Sequence, residues 1–92
     1  MIFYQKFTNH VAYLEKFDES ALIKATEKYG EGCTVIGRRY DSSNKSCNVG
    51  IMNNDETLII VYVVKHYSYD NGEESFFAKE TIVTTDVKNM MR

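Results

Sequence analysis

Apolar residues recur every three or four positions in the first third of the chain and alternate with polar ones afterwards; the change of period falls at Gly30-Glu31-Gly32. Val11, Leu14 and Phe17 share one side at three-residue spacing, which predicts a short amphipathic helix over 10–17 with Thr8 or Asn9 as its cap. Asp18 is placed to cap a second helix, with Glu19 in its first turn and Leu22, Ala25 and Tyr29 on one face. Gly30 supplies the left-handed stop. The segment Ile2 to Phe7 fits either a strand or the approach to a helix, because a run this short has no decisive period.

Beyond Gly32 the pattern is that of strands. Cys33 to Asp41 ends in the polar turn Ser42-Ser43-Asn44-Lys45, and Ser46 to Met52 alternates with Cys47, Val49 and Ile51 on one side. After Asn53-Asn54-Asp55, a strand over 57–69 is apolar at every position in its middle, as expected of a central strand covered on both faces. Asn71-Gly72 predicts a two-residue type I′ hairpin, and 74–85 returns. The expected fold class is therefore α+β, with two N-terminal helices packed on a four- to five-stranded antiparallel meander. All of 1–92 forms one domain in this reading.

Centring each hairpin on its turn gives a register. It sets Tyr40 opposite Cys47, Val49 opposite Ile60, Tyr67 opposite Phe76 and Val63 opposite Glu80. Side chains alternate between faces. One face then collects Ile36, Cys47, Val49, Ile51, Leu58, Ile60, Tyr62, Val64, Phe77 and Val83, which the helices would cover. The other collects Val35, Arg39, Asn48, Met52, Ile59, Val61, Val63, Lys65, Tyr67, Tyr69, Glu74, Phe76, Glu80 and Ile82. A slip of one residue would exchange the two sets.

Composition narrows the chemistry. With 43% hydrophobic and 26% charged residues, the chain is ordinary for a globular protein, and disorder is excluded as its main state. A net charge of −2 argues against a protein whose main task is to hold nucleic acid by its phosphates. The N-terminus carries no basic leader followed by an apolar run, so no signal peptide is expected. The longest apolar run, Leu58 to Val64, is far short of the ~20 residues of a membrane span. The expected location is the cytoplasm, of a host cell if the chain is phage-encoded, and no membrane partner is expected. In the hairpin register Cys33 and Cys47 lie roughly 20 Å apart, so two free thiols are expected.

No motif for catalysis, cofactor or metal binding emerges. Gly30-Glu31-Gly32 follows a helix and precedes a strand, the reverse of a phosphate loop. His10 and His66 lack metal-ligand spacing and stand in no nucleophile–base relation to the cysteines. We therefore assign no catalytic residues, no metal site and no cofactor. The feature with functional content is the second sheet face. Its aromatic and β-branched residues, Ile59, Val61, Val63, Tyr67, Tyr69 and Phe76 with Arg39, form an expected partner surface. Covering of that face by Ile2–Phe7 or Met90-Met91 is the structural alternative, and a homodimer through the face is a further one. Asp70, Glu73 and Glu74 at the hairpin tip, with Glu80 beyond, suggest carboxylates standing in for phosphates in a basic groove. The leading expectation is a small non-catalytic module that binds another protein. In style it resembles phage or mobile-element inhibitors of host defence enzymes, of anti-CRISPR or anti-restriction type, whose partner is a host nuclease or its complex. A nucleic-acid- or nucleotide-binding domain using the aromatic face ranks second, because Glu74 and Glu80 share that face and Lys65 and Lys79 are split between faces. A small enzyme ranks third.

Overall fold

One helix, α1 (Thr8–Tyr29), stands where capping predicts two. The computed structural model describes the backbone of residues 8–87 and the side chains of residues 15–87. No Gly or Pro interrupts α1, and Asp18 has a stronger partner than the helix backbone. Its carboxylate takes Nε of Arg38 at 2.7 Å and also Nη2 of Arg38. Asp in a helix interior costs up to about 0.7 kcal/mol relative to Ala. Hydrogen bonds to charged groups contribute about 1.5–3 kcal/mol, so the tertiary pair outweighs the local preference to cap. At the other end Gly30 adopts φ 93° and donates to the Thr26 carbonyl at 3.0 Å, the stop expected there.

The strands β1 (Thr34–Asp41), β2 (Ser46–Met52), β3 (Ile59–Ser68) and β4 (Glu74–Thr84) pair antiparallel in the order β1-β2-β3-β4. The fold is α+β, one helix on a four-stranded meander. The additional strand considered for Ile2–Phe7, and the cover considered for Met90-Met91, lie outside the described residues.

Phe17, Ala21 and Ala25, spaced by four, form the buried stripe of α1. The two alanines present only methyl groups to the sheet, and Phe17 supplies the one large fully buried side chain among the described residues of the helix. Its ring lies 5.6 Å from Tyr40 and 5.1 Å from Phe76, perpendicular to the latter. From the sheet, Cys47, Val49, Ile51, Ile60, Tyr62, Val64 and Ala78 complete the core. Six of these seven lie on the face expected to be covered.

The register departs from expectation where turn chemistry differs. Tyr40 stands opposite Cys47, as expected. Val49 meets Tyr62 rather than Ile60, because Asn53 closes a longer loop by accepting from the N–H groups of Thr57 and Leu58, each at 2.9 Å. That shift of two residues leaves the faces unchanged. The last hairpin shifts by one residue, which does not. Instead of taking a left-handed conformation, Asn71 accepts from the Glu73 N–H at 3.0 Å through its side chain. Gly72 alone has positive φ in this turn, 86°. Tyr69 donates to the Glu73 carbonyl at 2.9 Å, which closes a loop of three residues rather than two.

Tyr67 therefore faces Ser75, His66 faces Phe76, Val63 faces Lys79 and Tyr62 faces Glu80. The expected faces of 74–80 are exchanged as a result. Phe76 and Glu80 turn toward α1, and Phe77, expected in the core, is 60% exposed. Thr81 then forms a bulge, its hydroxyl donating to the Val61 carbonyl at 3.0 Å, and restores the expected pairing of Val61 with Ile82 and Ile60 with Val83. A second bulge at Ile36 exchanges two residues of β1. Val35 pairs with Ile51 on the core side, and Ile36 packs over Gly50 on the other.

Candidate functional site

The face of the sheet turned away from α1 is crossed by no described helix or strand. Antiparallel pairing orders its side chains in rows. One row runs Arg39, Asn48, Val63, Lys79 from β1 to β4, and the next runs Asp41, Ser46, Lys65, Phe77. On one side of these lies the row Gly37, Gly50, Val61, Ile82; on the other, Tyr67 stands opposite Ser75. Along β3 the face grades from dry to wet, although Ser46 beside Lys65 is only 8% exposed. Ile59, at one end, is only 1% exposed, Val61 and Val63 are half-buried, and Tyr67 is 45% exposed. Ile82, across from Val61, is 53% exposed.

The expected contact residues divide. Arg39, Ile59, Val61, Val63 and Tyr67 do share this face. Tyr69 lies beyond the end of β3, its hydroxyl 3.2 Å from Ser75 Oγ. Phe76 does not share it, being half-buried between α1 and the sheet and stacked on His66 at 4.7 Å. Phe77 and Lys79, which a two-residue turn would place on the covered side, belong on this one. The signal that identifies them is small: Ala78 between them is the residue a close helix needs, and a three-residue turn is the one that puts it there.

The expected carboxylates divide. Asp70 and Glu73 stay exposed at the turn. Glu74 turns to the α1 side and meets His66 Nε2 at 3.2 Å. Glu80 accepts from the Tyr29 hydroxyl at 2.9 Å and pairs with Lys28 at 3.2 Å. The Tyr29 hydroxyl, with Lys28, holds the Glu80 carboxyl below its ordinary range. On the open face Asp41 is the lone carboxylate by register, and it is committed to its own turn. It accepts from the Asn44 side-chain amide at 2.7 Å and the Ser43 N–H at 3.0 Å, and the Asn44 bond lowers its pKa.

Arg39, Lys65 and Lys79 thus share a face with Tyr67 and Phe77, while the carboxylates lie in α1, in the turns, after β4, or on the α1 side of the sheet, Asp41 excepted. No described carboxylate pairs with these three cations. Lys24 reaches round from α1 to place its ammonium 5.7 Å from the Phe77 ring centroid.

The interior offers little chemistry. Cys33 and Cys47 are free and buried, and burial pushes the Cys47 thiol up to about 11, which keeps it protonated. The Tyr62 hydroxyl is buried without a hydrogen-bond partner among the described residues, and burial raises its pKa to about 12. Among the described residues no group of three or more His, Cys, Asp or Glu is placed to hold a metal ion, and no helix is long and apolar enough to cross a membrane. No family model, curated protein or solved structure matches the chain.

Proposed function

We propose that this chain is a non-catalytic binding module and that the sheet face opposite α1 is its contact surface for another macromolecule. The observation that carries the proposal is the pairing of exposed Tyr67 and Phe77 with half-buried Val61 and Val63 on one face, beside Arg39, Lys65 and Lys79. A central apolar and aromatic patch with a polar surround is the anatomy of a recognition surface. The protonated, buried cysteines favour binding over nucleophilic chemistry.

The same face disfavours two of the expected occupants. A two-fold dimer through this face would gather two sets of these cations in one interface, with no uncommitted carboxylate among the described residues of the face to pair them. An inhibitor that mimics phosphates is less favoured, because Glu74 and Glu80 of the expected set are engaged by His66 and by Tyr29 with Lys28.

Affinity capture from a cell lysate tests the reading, with both protein and nucleic acid recovered. Lys65→Glu with Phe77→Ala on the open face should lose the captured material. Ile23→Ser on the exposed side of α1 should keep it. Equal capture by all three forms would overturn the assignment of the face.

A further inference from the structure

We infer that the occupant of the open face is a single strand of nucleic acid, with bases stacked on Tyr67 and Phe77 and phosphates held by Lys65, Lys79 and Arg39; this rests on the reading of that face as the contact surface.

Charge gives the first argument. The chain as a whole is at −2, which alone would disfavour a polyanion. That balance does not describe this face, because Glu74 and Glu80 are turned to the α1 side and engaged there. Among the described residues of this face three cations and one committed carboxylate remain. A polyanion approaching this side meets positive charge within a screening length of about 8 Å, while the acidic turns lie at the margins.

Residue type gives the second. Lysine is depleted in the centres of protein interfaces, where Arg and aromatics dominate, and it serves as a point-charge ligand for phosphate. Here Lys65, on the inner strand β3, stands directly across from Phe77, and Lys79, on the edge strand β4, directly across from Val63. An acidic protein seated on Val63, Tyr67 and Phe77 would have to desolvate the Lys65 ammonium among them. A nucleic-acid strand would leave that ammonium at its solvated backbone.

Spacing gives the third. Lys65 and Lys79 are diagonal neighbours on adjacent strands, and so are Tyr67 and Phe77, each pair about 7–8 Å apart. Each strand sets one ring two residues from one ammonium: Tyr67 after Lys65 on β3, and Lys79 after Phe77 on β4. At ~3.3 Å per residue each such pair offers partners to one base and one neighbouring phosphate. Aromatic stacking needs unstacked bases, which a single strand offers and a duplex does not. Stacking and phosphate contacts do not involve the ribose hydroxyl, so RNA and DNA strands share this chemistry.

The experiment is fluorescence anisotropy with the full chain and labelled oligonucleotides of about twelve nucleotides, one DNA strand, one RNA strand of the same sequence and the corresponding DNA duplex. A polyglutamate peptide serves as the acidic-protein control. Both single strands should bind more tightly than duplex and peptide; the ratio of the two distinguishes RNA from DNA as the preferred source. Three phosphate contacts give a slope of log K against log salt of about −2, and Lys65→Gln or Lys79→Gln should each reduce it by about 0.7. Phe77→Ala should weaken binding about tenfold at any salt, the loss of one stacked base. These residues are exposed, so far-UV circular dichroism should be unchanged, and Ile23→Ser should bind as the parent does. No single-strand binding at low salt, equal binding to duplex or peptide, or insensitivity to the Lys65, Lys79 and Phe77 variants would overturn the inference. If single strands fail while the open-face variants still lose a captured protein, the binding-module reading stands with a protein partner instead.

Discussion

Phe76 meets Phe17 edge-on, ring centroids 5.1 Å apart at 90°, while the adjacent Phe77 falls on the other face by register, is 60% exposed and has the Lys24 ammonium 5.7 Å from its ring. One residue of register separates these two environments, and stability reports which is which. Phe76→Ala should cost about 2 kcal/mol, below the 3–5 kcal/mol of a fully buried Phe because Phe76 is half-buried. Phe77→Ala should stay within about 0.5 kcal/mol of the parent. Urea denaturation midpoints at constant m-value measure both, and the opposite ranking would mean that the last hairpin has a two-residue turn.

The single long helix depends on the Asp18–Arg38 pair. Their side chains are 15% and 21% exposed, so water screens the pair less than a surface bridge. A double-mutant cycle with Asp18→Ala and Arg38→Ala should return a favourable coupling of about 1 kcal/mol or more. A coupling near zero would show that helix propensity alone carries α1 through residue 18.

Glu80 gives the protein a pH-dependent increment. Its carboxyl is held below the ordinary 4.5 by the Tyr29 hydroxyl first and by Lys28. A group whose folded pKa is depressed adds stability above its unfolded pKa and loses it as pH falls through the folded one. Glu80→Gln should therefore be less stable than the parent at neutral pH. The gap should narrow on acidification below about pH 4.5 and close once Glu80 is protonated in both states. Thermal denaturation of both proteins from neutral pH downward checks it; a gap independent of pH would contradict the assignment.

Tyr62 carries a buried hydroxyl that has no partner among the described residues. A Tyr→Phe change that removes a good hydrogen bond costs about 1 kcal/mol, but an unpaired buried hydroxyl is itself unfavourable. Tyr62→Phe should leave stability unchanged or raise it by up to about 1 kcal/mol. A clear loss in chemical denaturation would reveal a partner for the hydroxyl, such as an internal water.

Local chemistry determined much of this protein. Alternation over 46–52 and the apolar run of β3 name six of the seven sheet residues in the core, because a period of two survives any shift by two residues. Gly30 ends α1 because its positive φ is strained for other residue types. The tertiary structure decided what local signals leave balanced. Asp18 is as good a helix cap as a helix-interior ligand, until Arg38 arrives from β1. Asn71-Gly72 fits both a two-residue and a three-residue turn, and the packing of Phe76 on Phe17 and Ala78 beneath α1 favours the three-residue form. That choice turns Glu74 and Glu80 away from the open face and brings Phe77 and Lys79 onto it. The character of the face follows from one residue of register, which the residues of the turn alone do not encode.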